Sequence, residues 1–84
     1  MFQNYDQKLV KLLIDNLILL EFTDNQLMDE DYAVQIMEGI ASELQSMDDE
    51  SKKRLLSRID SMIDSYPDTR RDFVKNLPET LGLI

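Results

Sequence analysis

Leu9-Val10-Lys11-Leu12-Leu13-Ile14-Asp15-Asn16-Leu17-Ile18-Leu19-Leu20-Glu21-Phe22 holds ten apolar residues in fourteen and decides how the rest of the chain is read. Lys11, Asp15 and Asn16 interrupt it, and it falls well short of the roughly 20 residues that span a bilayer. It therefore reads as a core helix, extending over roughly Asn4 to Leu20. Lys8, Lys11 and Asp15 fall at i, i+3 and i+7 and form one polar stripe on an otherwise apolar cylinder. Continuing that stripe places Ile18, Leu19 and Phe22 where water should be. This end of the helix must be covered by another segment, such as Leu81 to Ile84, or by another molecule.

Working outward, the remaining sequence is helical too. The chain has two glycines, two prolines and no run of alternating β-branched residues that would argue for strands. Asp29 suits an N-cap, with Glu30 and Asp31 favourable in the first turn of a second helix running to about Ser46. Ala33, Met37, Ile40, Ala41, Leu44 and Met47 form its inward face, with Gly39 off that face. A third helix opens at Asp48 or Asp49 and turns Leu55, Ile59, Met62, Ile63 and Tyr66 inward, leaving Lys52, Lys53, Arg54 and Arg58 outside. Pro67 breaks it after Tyr66 and suits the first turn of a fourth helix carrying Phe73, Val74 and Leu77 inward. Asn76, Pro78 and Glu79 resemble the start of a further short turn, closed by Gly82 as C′ residue. The expected fold is all-α: a small four-helix bundle with a short C-terminal helical turn, one domain over residues 1–84. Its expected core includes Leu13, Leu17, Met37, Ile40, Leu44, Ile59, Met62, Ile63 and Phe73.

Composition excludes most chemistry. No cysteine and no histidine among the 84 residues removes disulfides, thiol nucleophiles, imidazole or thiolate metal sites and a histidine base. A calcium loop starting at Asp29 puts Val34 at its sixth position and Ile40 at its twelfth. One starting at Asp24 puts Asp29 and Gln35 there, and neither register supplies the required glycine and glutamate. Every acid has a polar neighbourhood, so no carboxyl pair is set up for acid–base work. The expectation is a non-enzymatic chain with no cofactor and no metal. The N-terminal Met1 to Asp6 lacks the basic and apolar regions of a secretory signal, which makes the cytoplasm the expected compartment.

Charge is the informative feature. Seventeen acids against nine bases give a net −8, which repels nucleic acid and anionic membranes. The bases of the third and fourth helices are interspersed with Asp60 and Asp64 and read as a solvated face rather than a nucleic-acid site. Leu12 to Ser51 carries eleven acids and no Lys or Arg, whereas the other 44 residues carry six acids and nine bases. The negative field is thus concentrated over the second helix and its flanking loops, where it steers a basic protein partner. Glu21, Asp24, Asp29, Glu30, Asp31, Glu38, Asp48 and Asp49 are the candidate partner-binding residues.

Ala33-Val34-Gln35-Ile36-Met37-Glu38-Gly39-Ile40-Ala41-Ser42-Glu43-Leu44-Gln45 and Phe73-Val74-Lys75-Asn76-Leu77-Pro78-Glu79-Thr80-Leu81-Gly82-Leu83 resemble stretches of small bacterial helical proteins. In length, acidity and helicity the whole chain resembles the small immunity proteins that neutralise bacterial toxin domains, of the contact-dependent growth inhibition or bacteriocin type. That resemblance implies an inhibitor whose carboxylates cover a basic nuclease surface. The alternative is a helical adaptor or regulatory interaction module in which the acids only solvate, with a homodimer built on Ile18, Leu19 and Phe22.

Overall fold

The computed structural model describes residues 2–24 and 26–84, and side chains from Asp6 onward within that range; Met1 lies outside the described residues. Four α-helices follow one another: α1 (Phe2–Phe22), α2 (Glu30–Gln45), α3 (Asp49–Met62) and α4 (Asp68–Thr80), with a 3-10 turn, Ile63–Ser65, between α3 and α4. Among the described residues there is no strand. The all-α expectation holds, and α1 is longer at both ends than its apolar spacing suggests. Its C-terminus is extended by Thr23, whose backbone N–H bonds the Leu19 carbonyl at 3.1 Å and whose hydroxyl donates to the same oxygen.

The centre of the core is α1. Val10, Ile14, Leu17 and Ile18 recur at spacings of 4, 3 and 1 and are buried with Ile59 of α3 and Val74, Leu77 and Leu81 of the α4 end. Helices α2, α3 and α4 all pack on α1, while α2 rests chiefly on α1 alone. The core expected from sequence is therefore displaced. Leu17 and Ile59 are fully buried, but Leu13, Met37, Ile40, Leu44, Met62, Ile63 and Phe73 are only partly buried around the centre. The inward row of α2 has a neighbour on one side only, so none of its residues is fully buried.

The end of α1 that extended the polar stripe is covered in part from within the chain. Ile18 joins the core. The Phe22 ring meets Phe73 edge-on, with centroids 5.7 Å apart, and the Arg70 guanidinium stands 5.3 Å from its centroid, both favourable geometries for an aromatic ring. The cover comes from α4 and from the start of the tail: Leu81 is buried in the same cluster as Ile18 and Leu83 packs against it, whereas Ile84 is exposed. Of the three residues expected to build a homodimer, Ile18 is buried, while Leu19 and Phe22 remain 55% and 41% exposed.

The stripe itself carries the main polar link of the bundle. Lys11 Nζ donates to Asp15 at 2.6 Å, and the Tyr66 hydroxyl donates to the other Asp15 oxygen at 2.7 Å. The hydrogen bond from Lys11 holds the Asp15 carboxyl below its ordinary value, burial opposes this, and the Tyr66 bond reinforces it. Burial, and then the bond to Asp15, push the Tyr66 phenol well above its usual value.

Two breaks differ in detail from the sequence reading. Pro67 occupies the N-cap position of α4 rather than its first turn. Its carbonyl accepts from the Arg70 and Arg71 N–H groups at 3.0 and 3.2 Å. Tyr66 before it is extended, as the proline ring requires. The C-terminal turn is continuous with α4, which runs through Pro78 to Thr80 and closes at Leu81 and Gly82. Leu77 and Leu81, both fully buried, hold the chain on either side of Pro78 against the core, which offsets the missing N–H and the ring's conflict with the preceding turn. Gly82 is the expected C′ residue, with φ 71°. Its N–H bonds the Glu79 carbonyl at 3.0 Å and the Leu83 N–H bonds Pro78 at 2.8 Å, the paired closure of a Schellman motif. The Gln45 amide donates to the Leu81 carbonyl at 2.8 Å and joins the ends of α2 and α4.

The two glycines give opposite expectations. A Cβ on Gly82 would stand 2.5 Å from Gln45 Nε2, at a backbone angle that L residues rarely adopt, whereas one on Gly39 meets nothing within 4 Å. Gly82→Ala is expected to destabilise the fold by about 1 to 2 kcal/mol, and Gly39→Ala to stabilise it by roughly 0.5 to 1 kcal/mol. Urea unfolding of both variants checks the pair.

Tyr66→Phe removes the hydrogen bond to Asp15 and is expected to cost about 1 kcal/mol at neutral pH. The folded phenol is raised above its ordinary value of about 10, so its stabilisation is complete below pH 10 and declines as pH rises past it. The stability gap between wild type and Tyr66→Phe should therefore narrow above pH 10. A gap that widens there would contradict the assignment.

Candidate functional site

The end of α1, the connection after it and the start of α2 bring acids and apolar side chains together. Asp24 Oδ1 accepts from the Gln26 N–H at 3.0 Å, and the Asp24 carbonyl accepts from the Leu27 and Met28 N–H groups at 2.8 and 3.1 Å. This local turn is one that Asp forms readily, and it returns the chain to α2. Asp29 then caps α2, accepting from the Tyr32 N–H at 3.2 Å. A groove of about 150 Å3 remains between the two helices, lined by Leu20, Met28, Ala33, Val34 and Met37, with Glu21 contributed by α1 and Glu30 by α2.

On the side of α2 that borders this groove, Val34 lies four residues after Glu30, three after Asp31 and four before Glu38. These four side chains therefore share one helical face, and all are exposed. Val34 is an apolar patch surrounded by three carboxylates. Leu27 and Tyr32 are also exposed close by in sequence. The charge pattern that selects the eight acids does not pick out these apolar members. The available signals were a valine one position off the inward row of α2, and Leu27-Met28 inside an acidic connection.

The eight candidate acids do not form one patch. Glu21, Asp24, Asp29, Glu30 and Asp31 cluster at one end of α2. Asp48 and Asp49 stand beyond its other end, about 24 Å away along a 16-residue helix, and Glu38 lies between. Asp48 is the N-cap of α3, accepting from the Ser51 N–H at 2.7 Å. Hydrogen bonds from Ser51, its side chain first and its backbone next, hold the Asp48 carboxyl below the ordinary range.

All eight acids are exposed. The ion pairs among the described residues are Lys11 with Asp15 and Arg54 with Asp6 at 2.8 Å, and neither involves one of the eight. Among the described residues, none of these eight charges is compensated by an ion pair. Chemically, this surface attracts cations and basic side chains. None of the described acids is buried, the condition under which a carboxyl is raised for acid–base work. No three described acids converge as a metal site. No helix among the described residues is long and apolar enough to cross a membrane.

Asp29 and Asp48 therefore serve the fold whatever else they do. Asp29→Ala is expected to lower stability by about 1 kcal/mol and Asp29→Ser to recover most of that. Asp48, held low in the folded state, stabilises above the ordinary carboxylate value of about 3.9, and that contribution disappears as pH falls below it. Thermal unfolding of Asp48→Asn should show a shallower loss of stability between neutral pH and pH 3 than the wild type.

No protein-family model, no curated protein and no solved structure matches this chain.

Proposed function

We propose that this chain is a non-enzymatic binding domain that captures a basic protein partner on the flank of α2 and the groove it borders with α1. The toxin domain of a nuclease is the partner class implied by the resemblance to immunity proteins. One observation carries the reading: Glu30, Asp31 and Glu38 surround exposed Val34, with Glu21 across the groove, and no Lys or Arg pairs with any of them. A solvating surface has no need to set an apolar side chain among three uncompensated carboxylates. An interface uses the two together, apolar contact for affinity and charge for rate and orientation. Asp48 and Asp49 fall outside this surface and are left to the start of α3.

The test uses a partner recovered by pull-down from the native cell or encoded immediately upstream. Association should slow as ionic strength rises and the Debye length falls from about 30 Å at 0.01 M to about 8 Å at 0.15 M. Reversing Glu21, Asp31 and Glu38 to Lys should slow association by on the order of 10- to 1000-fold, whereas reversing Asp60 and Asp64 on α3 should change it little. Asp29 stays untouched, because losing a cap would confuse binding with folding. An acidic partner, or a rate indifferent to salt and to the triple reversal, would replace this reading with the helical adaptor.

A further inference from the structure

The outward side of α1 carries an apolar row that the bundle does not use. Leu9, Leu12 and Leu19 are 49%, 58% and 55% exposed, and with exposed Asn16 they stand at spacings of 3, 4 and 3. The core row of the same helix is a different set: Val10, Ile14, Leu17 and Ile18. Half-buried Leu13 and Leu20 border the outward row. A 3-4-3 spacing of apolar residues with one central amide is the pattern by which two helices pair side by side.

We propose that this face binds a second copy of the chain, α1 against α1 in parallel. Three observations select that occupant. The row is complementary to itself in spacing, so a copy in register places each leucine against its equivalent. Its own side chains carry no charge, and beside Leu9 the Asp6 carboxylate is already paired with Arg54, with Arg58 close by, so the basic partner sought by the acids of α2 finds no unpaired carboxylate in this row. Asn16 sets the direction. In the single chain its Nδ2 donates to the Leu12 carbonyl at 2.7 Å, which leaves the amide oxygen and the second N–H free. A parallel pair sets Asn16 against Asn16, where the two amides satisfy each other. An antiparallel pair sets each amide against Leu12 and buries it unpaired.

The row from Leu9 to Leu19 is about 15 Å long, which places the contact below the roughly 1,200 Å2 of a standard interface and makes the dimer reversible. Each copy carries −8, so screening favours association. Salt therefore tightens this contact while it weakens capture of a basic partner, and the two readings fail separately.

Sedimentation equilibrium from about 10 μM to 1 mM is expected to show the mass rising from 9.8 kDa towards twice that value, more readily at about 0.5 M salt than at 0.05 M. Leu12→Glu and Leu19→Glu should abolish the rise while keeping the helical far-UV spectrum. Leu27→Glu, at the 82% exposed loop leucine, should leave it intact. The absence of native cysteine gives a clean test of direction: an oxidised mixture of Leu9→Cys and Leu19→Cys chains should form like-with-like disulfides, since parallel pairing sets each position opposite itself. A wild type that stays monomeric throughout, equal sensitivity to Leu27→Glu, or mainly mixed disulfides would overturn the proposal.

Discussion

Everything in this bundle depends on burying one row of α1. Val10, Ile14, Leu17 and Ile18 form the side of the helix on which the other three helices meet, and each aliphatic side chain so buried contributes roughly 1.5 to 3 kcal/mol of transfer free energy. In a chain of 84 residues, where the fraction of surface removed from water is small, one central helix is an economical arrangement. Helices α2, α3 and α4 need each supply only one row, since the common partner supplies the other side.

That arrangement has a consequence for the acids. Because α2 rests chiefly on α1, the flank of α2 beside their groove has no further covering element, and Glu30, Asp31, Val34 and Glu38 stand exposed along it. The few intramolecular polar links occur elsewhere. Asp15 with Lys11 and Tyr66 ties α1 to the α3–α4 junction, and Gln45 with the Leu81 carbonyl ties the end of α2 to the end of α4. The fold is held together away from its acidic surface, so that surface can be electrostatically unfavourable to itself and still exist.

The acids also divide by role. Asp29 and Asp48 satisfy backbone N–H groups that no helical carbonyl can reach, and their charge is favourable at a helix N-terminus. Glu21, Asp31 and Glu38 have no such local task. A count of negative charges along the sequence cannot separate these groups. Hydrogen-bond partners do.

Local physics determined much of this protein from the sequence alone. Asp29 as a cap, the opening of α3 at Asp48 or Asp49, the extended residue before Pro67, Gly82 at C′ and the helical spacing of the apolar rows are decided by interactions within four or five residues, and each is found in the structure. The segregation of charge is legible for the same reason, since it is written along the chain. What only the tertiary structure decided is which of several apolar rows becomes the centre. Helix α1 is apolar almost all round, so its periodicity cannot distinguish Ile14 from Leu12, and only the positions of α2, α3 and α4 bury the one and leave the other exposed. The continuation of α4 through Pro78 is of the same kind. A proline's local preference is to interrupt a helix there, and it is overridden because Leu77 and Leu81 on either side are packed into a core assembled by residues more than fifty positions away.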